Sequence, residues 1–226
     1  MMRPERVYII RHGQTDWNAN GRWQGITPVG LNDVGHEQAR KLAAYLAHQP
    51  IEAVYCSDLP RAFDTAKALA DVHKLTPTVD ERWRELHVGI FQGLTRAEIT
   101  LRYAAEFAAM HDDWLDYVIP EGESRRQLQE RAFAAWQNAV ENTSAGQVAI
   151  VSHGGTIKLL LMRLFAAQAE KLDKQELANT SLTILQRIPD GWEIAALATV
   201  THLEEAIQAE AAEESAQEEN RPQTYF

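Results

Sequence analysis

The chain has 226 residues, enough for one well-filled hydrophobic core, and its 45% hydrophobic and 24% charged residues are typical of a soluble globular protein. Its net charge of −10 does not suit nonspecific nucleic-acid binding, and no apolar run approaches the ~18 residues of a membrane span, so we expect neither partner. Because no apolar segment precedes the first predicted strand and the single cysteine, Cys56, excludes an internal disulfide, we expect a cytoplasmic protein.

Predicted strands and helices alternate along the chain. Short apolar runs predict buried strands at residues 7–10, 53–56 and 148–151, and helical spacing of apolar residues predicts helices at 31–47, 59–72, 128–140 and 157–165. This alternation is typical of an α/β fold, and we predict a mostly parallel central sheet with helices on both faces. Two late strands are predicted at residues 182–187 and 192–199, on either side of a Pro-Asp-Gly turn.

Two segments depart from this alternation. Residues 94–120 interrupt it with helix-like sequence, which we interpret as a small helical cap inserted into a single domain of residues 1–203. Residues 204–226 are predicted to form an acidic C-terminal tail, since residues 201–226 carry seven glutamates and one arginine, a net −6 that leaves −4 for the remainder. The large side chains of the cap segment could line a substrate mouth or belong to the core: Phe107, Met110, His111, Trp114 and Tyr117.

Charged and polar residues follow three of the predicted strands. They are Arg11 and His12 after the first strand, Arg61 shortly after the second, and His153 and Gly154 after the third. Ligands of open α/β sheets bind beyond the carboxyl ends of the strands, so we expect two arginines and two histidines to meet at one edge. Two fixed positive charges beside imidazole groups describe a phosphate pocket, and the free N–H groups of a helix starting at Gly154 would add to anion binding.

These segments resemble the sequence blocks of the histidine phosphatase superfamily. Residues 11–18, Arg-His-Gly-Gln-Thr-Asp-Trp-Asn, resemble its signature Arg-His-Gly-x-Thr-x-x-Asn. Residues 57–66, 84–93 and 152–155 resemble, in the expected order, its second-arginine, acid and second-histidine blocks. One departure is Pro28, which stands where the family often has Asp. The resemblance covers residues 6–200, and residues 201–205 also resemble the end of broad-specificity bacterial phosphatases.

The resemblance implies a role for each matching residue. His12 would attack phosphorus and become a phosphohistidine, and Glu85 would protonate the leaving oxygen and then deprotonate the attacking water. Arg11, Arg61 and His153 would hold the phosphate oxygens, and the arginines should also favour the neutral form of His12 by like-charge repulsion. Three further residues are expected to bind the phosphate: Asn18, Gln24 and Gly154. Because no histidine or cysteine falls into a metal-ligand pattern, we predict neither a metal nor a cofactor.

Some of these assignments have simpler alternatives. Arg61 alone could be a solvated helix residue, and His153 alone could be a hydrogen-bonded histidine at a helix start. The acid is also less certain than the nucleophile, because three other carboxylates could reach the mouth of the site: Glu81, Glu121 and Glu123. Cys56 is interpreted as a small buried hydrophobic residue and not as a nucleophile.

The predicted function is hydrolysis of phosphate monoesters of small metabolites. The superfamily also contains cofactor-dependent phosphoglycerate mutases, which grip the substrate carboxylate with an Arg-Arg-Ser-Tyr-Asp-like run that residues 94–120 lack. The pair Arg125-Arg126 stands instead at a helix start that the phosphatases also have. A mutase therefore remains the alternative, and a non-catalytic regulatory module is less favoured because the expected catalytic residues are all present. The predicted partner is a small phosphorylated metabolite, and a homodimer is an open alternative to a monomer.

Overall fold

The computed structural model describes residues 4–141 and 143–204, and within them a six-stranded sheet forms the centre of the molecule. Across the sheet the strands follow the order β3-β2-β4-β1-β5-β6, and their bounds are β1 (Arg6–Arg11), β2 (Ala53–Cys56), β3 (Thr78–Val79), β4 (Gln147–Ser152), β5 (Leu182–Ile188) and β6 (Gly191–Thr199). The first four in this order run parallel, whereas β5 and β6 are each antiparallel to the preceding neighbour. The predicted mostly parallel α/β sheet is confirmed.

Helices cover both faces of this sheet. Their bounds are α1 (Asp16–Ala19), α2 (Asp33–Leu46), α3 (Pro60–His73), α4 (Arg96–Arg102), α5 (Ala104–Asp112), α6 (Arg125–Glu141), α7 (Gly154–Leu164) and α8 (Ala169–Lys174). Successive side chains of a strand point to opposite faces. Val7 and Ile9 of β1 accordingly pack in one core with α6, α7 and α8, and Tyr8 and Ile10 pack in another with α2 and α3.

Three short elements escape the sequence prediction. Strand β3 is two exposed residues at the sheet edge and so has no apolar pattern. Helix α1 is a single turn within the signature segment, held by a capping box in which the Thr15 side chain accepts the Asn18 N–H and the Asn18 side chain accepts the Thr15 N–H. Helix α8 buries only one residue, Leu172. The longer predicted helices and strands all occur within a few residues of their predicted bounds.

The segment predicted to form a cap contains α4 and α5, and its buried side chains share a small hydrophobic cluster with residues 88–91. Phe107 and Met110 are buried there, so the structure assigns these two side chains to packing and not to a substrate mouth. Trp23, from the loop after α1, packs edge-on against Phe91 and Phe107 at ring-centroid distances of 5.9 and 6.0 Å. This contact joins the cap to the segment that follows the signature.

The predicted acidic tail and the expectation of no membrane span concern how much of the chain the structure describes. All of the predicted tail except Glu204 lies outside them. In the part of the chain that the structure describes, no helix combines the length and the apolar character that crossing a membrane requires.

Candidate active site

The carboxyl ends of β1, β2 and β4 bring the predicted residues together. Arg11 is the register partner of Ser152, and the backbone pairing continues one residue further, where the His12 N–H donates to the Ser152 carbonyl at 3.0 Å. The two following histidines, His12 and His153, therefore lie side by side, with ring centroids 5.1 Å apart and ring planes at 59°. Both are buried. The predicted convergence of the two imidazoles is observed.

His12 is held in a defined tautomer. Its Nδ1 lies 2.7 Å from the carbonyl oxygen of Gly13, and a carbonyl only accepts, so Nδ1 carries the proton and Nε2 carries the lone pair. Burial, followed by the nearby charges of Arg11 and Arg61, lowers the pKa of His12 well below 6.5. The ring is thus neutral at physiological pH, with a nucleophilic nitrogen at Nε2.

The backbone around His12 is fixed from two sides. A Cβ on Gly13 would lie 2.6 Å from the Gly35 carbonyl oxygen, so this position requires glycine to let α2 pass close by. On the other side the His12 carbonyl accepts the Asn179 side-chain amide at 3.0 Å and the Thr180 N–H at 3.2 Å. The same Asn179 amide donates to the Asn18 side-chain oxygen at 3.2 Å. Asn179 was not predicted from the sequence, because its contacts are with a segment 161 or more positions away.

Arg61 is the most deeply buried cation of the site. It is fully buried, and its Nη1 and Nη2 donate to the carbonyls of Thr27 and Gly25, both at 2.8 Å. These bonds fix the loop that contains Pro28, so the departure from the family pattern leaves the loop anchored to the site. Burial lowers the pKa of Arg61 to about 10, with Glu85 raising it and Arg11 lowering it.

His153 and Arg11 lie close enough to His12 and Arg61 for the charges of these groups to influence one another. Burial lowers the pKa of His153 well below 6.5, and the neighbouring Arg61 and His12 lower it further. Burial also lowers the pKa of Arg11, although the Glu85 and Glu176 carboxylates oppose this. Five buried atoms of this cluster have no hydrogen-bond partner within the described residues: Nε of Arg11, Nε of Arg61, Nδ1 and Nε2 of His153, and Oε1 of Gln24.

The carboxylate of Glu85 sits against the start of α7. Its Oε2 accepts the Gly155 N–H at 3.0 Å, and its Oε1 accepts the Leu86 N–H at 2.9 Å and lies 3.3 Å from the Thr156 hydroxyl oxygen. One prediction is corrected by this contact, because the N–H of Gly155 is not free for the phosphate but is engaged by the acid. The first turn of α7 instead orients Glu85, while the predicted phosphate ligand Gly154 lies beside the Arg11 side chain.

Two of the three competing carboxylates are paired with arginines. Glu81 lies 3.1 Å from Nη1 of Arg84, and Glu123 forms an ion pair with Arg131 at 2.5 Å. Near Glu85 the structure has a cavity of about 270 Å³, and its walls are formed by Ile26, Glu81, Arg82, Arg84, His87, Glu123 and Arg131. The cavity lies between the loop held by Arg61 and the segment on both sides of Glu85.

Two further polar side chains, Cys56 and His202, are buried. Cys56 is fully buried, and burial together with Asp58 raises its pKa to about 12, so the thiol stays protonated. His202, near the end of the described chain, is buried and its Nε2 lies 3.0 Å from the Thr180 hydroxyl. Within residues 4–141 and 143–204, no group of three or more His, Cys, Asp or Glu side chains is arranged to hold a metal ion.

Comparisons with known proteins agree with this geometry. A family model described as the histidine phosphatase superfamily (branch 1) matches residues 7–200. The chain is 37% identical to phosphoglycerate mutase-like protein 4 of Arabidopsis thaliana, over 88% of this chain and 87% of that protein. It is 33% identical to the probable phosphoglycerate mutase GpmB of Yersinia pestis, over 88% and 95%. A mycobacterial glucosyl-3-phosphoglycerate phosphatase superposes with a TM-score of 0.75 at 29% identity, over 86% and 99%. The chain therefore belongs to the histidine phosphatase superfamily.

Proposed function

We propose that this protein hydrolyses phosphate monoesters of small metabolites through a phosphohistidine formed on His12. The observation that carries the proposal is the set of buried donors without protein partners in the described residues: His153 and the Nε groups of Arg11 and Arg61. Buried polar groups are normally paired, because an unpaired one costs about 1–3 kcal/mol. Two guanidinium groups and a neutral histidine gathered around the His12 imidazole suit a phosphoryl group, whose oxygens would accept hydrogen bonds from them.

In the first step the Nε2 lone pair of His12 attacks phosphorus. The bond from phosphorus to the ester oxygen breaks, and that oxygen takes a proton from Glu85, so an alcohol and a phosphohistidine form. Arg11, Arg61 and His153 stabilise the negative charge on the three remaining phosphoryl oxygens. Asn18 is suited to assist, since its side-chain oxygen is taken by Thr15 and Asn179, which orients its NH₂ group as the ligand-binding end.

In the second step Glu85 acts as a base. Its carboxylate removes a proton from water, the water oxygen attacks phosphorus, and the phosphorus–nitrogen bond breaks with its electrons returning to His12 Nε2. Inorganic phosphate forms and Glu85 is protonated again. The hydrogen bonds that Glu85 accepts from the Gly155 N–H and the Leu86 N–H keep the carboxyl group in place between the two steps.

The contacts of the adjacent pair Arg125 and Arg126 favour hydrolysis over mutase activity. Arg125 donates to the backbone carbonyls of Met110 and Trp114 and stacks on the Trp114 ring, with its guanidinium 5.1 Å from the ring centroid. Arg126 forms a two-pronged ion pair with Asp116. Both guanidinium groups thus tie α6 to the cap, so neither is offered to a substrate carboxylate as a mutase requires.

A phosphoglycerate mutase remains the second candidate, because one sequence relative is named a phosphoglycerate mutase-like protein and another a probable phosphoglycerate mutase. In favour of a phosphatase, the guanidinium of Arg84 in the cavity beside Glu85 is bonded to Asp58, and the guanidinium of Arg131 is bonded to Glu123. We place the leaving group in this cavity, and its neutralised walls suit a polar, hydroxyl-bearing group better than a free carboxylate.

The two candidates are separated by assaying the full chain for both reactions. Release of inorganic phosphate from p-nitrophenyl phosphate and from a panel of phosphorylated metabolites is measured beside phosphoglycerate mutase turnover. We expect phosphate release to dominate and a His12→Ala variant to lose it, falling by at least ~1,000-fold. Efficient mutase turnover with little phosphate release would reverse the assignment, and near-normal hydrolysis by His12→Ala would refute the nucleophile.

A further inference from the structure

Arg131 of α6 uses its whole guanidinium group on the segment that carries Glu85. Its Nη1 donates to the carbonyls of Arg82 at 2.9 Å and Arg84 at 2.6 Å, and its Nη2 donates to the Glu85 carbonyl at 2.8 Å. Nε and Nη2 also bond the two carboxylate oxygens of Glu123, at 3.1 and 2.5 Å. These contacts engage all the N–H groups that an arginine side chain has.

The segment is held on its other side as well. Glu123 Oε1 accepts the His87 N–H at 2.9 Å, and the His87 carbonyl accepts the Glu123 N–H at 3.0 Å. The Thr156 hydroxyl donates to the Arg84 carbonyl at 2.9 Å. The backbone is therefore fixed immediately before, at and after Glu85.

These contacts complete the orientation of the acid. The side-chain end of Glu85 is held by the Gly155 N–H, and its main-chain end is held by Arg131. Both Arg131 and Glu123 are partly buried, with side chains 22% and 17% exposed, so water competes little for these bonds. A carboxyl group anchored at both ends has little freedom to leave the position from which it reaches the ester oxygen.

We propose that Arg131, together with Glu123, is a positioning residue for proton transfer by Glu85. This inference rests on the proposed function, because it needs Glu85 to protonate the leaving group. Arg131 touches no reacting atom. Its effect is to keep the acid within hydrogen-bond reach of the leaving oxygen, and it should matter only for substrates whose leaving group needs that proton.

The dependence of kcat/KM on leaving-group basicity tests this role, because a variant that only destabilises the fold would not change it. A series of para-substituted phenyl phosphates keeps the shape of the substrate while the basicity of the phenolate rises from p-nitro to p-methoxy. The value of kcat/KM reports the steps up to phosphohistidine formation, where the leaving group departs. A well-placed acid makes kcat/KM nearly independent of leaving-group basicity, whereas a misplaced acid makes it fall steeply along the series.

The variant Arg131→Lys retains the charge but loses the forked geometry. We expect kcat/KM to fall by about 10- to 100-fold for p-methoxyphenyl phosphate and by less than about 3-fold for p-nitrophenyl phosphate. Glu85→Gln should show the same steepened dependence. Val140→Ala, which trims a buried residue of the same helix α6 away from the acid, should lower the melting temperature and leave the dependence unchanged.

The outcomes separate this inference from the proposed function. An equal loss across the series for Arg131→Lys, beside a steepened dependence for Glu85→Gln, would overturn the positioning role alone. An unchanged dependence for Glu85→Gln would remove the acid assignment and the inference with it. If Arg131→Lys does not fold, Glu123→Gln decides the question, because it breaks the ion pair on the partner side and is expected to steepen the dependence in the same direction.

Discussion

Replacing Arg61 by lysine tests whether its burial serves the reaction or only the fold. Arg61 is fully buried, and its two terminal nitrogens bond the carbonyls of Thr27 and Gly25 at 2.8 Å each while Nε has no partner among the described residues. A lysine has a single terminal nitrogen. It keeps the charge but cannot bond both carbonyls and also present a donor to the phosphoryl group.

These bonds set the expected losses of stability and of activity in Arg61→Lys. One lost hydrogen bond from a charged donor to a carbonyl lowers the free energy of unfolding by about 2 kcal/mol, which corresponds to a melting temperature about 4–8 °C lower for a chain of this length. A lost donor to the phosphoryl oxygens in the transition state costs about 3–4 kcal/mol, which is about 100- to 1,000-fold in kcat/KM.

The assay is kcat/KM for p-nitrophenyl phosphate, measured beside a thermal melt. The matched control is Arg40→Lys, since Arg40 is an exposed arginine of α2 with a 2.5 Å ion pair to Glu37, and it should change neither quantity appreciably. If Arg61→Lys melts several degrees lower but keeps kcat/KM within about 3-fold of wild type, Arg61 supports the loop and does not hold the phosphate, and the reasoning fails.

Two further predictions concern acid stability and the start of α7. Burial lowers the pKa of His202 to about 4 and the pKa of His12 and His153 well below 6.5, so the unfolded chain binds protons that the folded chain does not. The free energy of unfolding should therefore hold above pH 6.5 and fall as the pH drops below it, as measured by urea denaturation at stepped pH; a flat profile down to about pH 4 would contradict this. In Gly155→Ala the new Cβ would lie 2.6 Å from Glu85 Oε1, so the carboxylate must move. We expect about 10- to 100-fold lower kcat/KM for phenyl phosphates with poor leaving groups and a nearly unchanged melting temperature, and unaltered kinetics would argue against Glu85 as the acid.

The sequence was sufficient to predict the parts of the site that lie at strand ends. Arg11, His12 and His153 end or directly follow apolar runs. Parallel pairing of β1 with β4 then places these residues together, independently of the conformation of the connecting loops. The sheet order and the exact helix bounds were less accessible, and the two-residue edge strand β3 had no apolar signal at all.

The supporting residues could not be predicted because their contacts are with backbone atoms far along the chain. Asn179 binds the carbonyl of a residue 167 positions earlier, and Arg131 binds carbonyls 46 to 49 positions earlier. No residue pattern encodes which carbonyl a side chain will meet, so only the folded chain reveals such contacts. The same reason explains why the Gly155 N–H was expected to be free, when it is in fact engaged by Glu85.

The central claim is that the phosphoryl group passes through Nε2 of His12. The most direct measurement is rapid quenching of the Glu85→Gln variant with ³²P-labelled substrate, followed by peptide mapping and ³¹P NMR of the trapped protein. We predict close to one phosphate per chain, stable to alkali and labile to acid, located on Nε2 of His12 and lacking in His12→Ala. Turnover without any label on His12, or label on a different residue, would contradict the account.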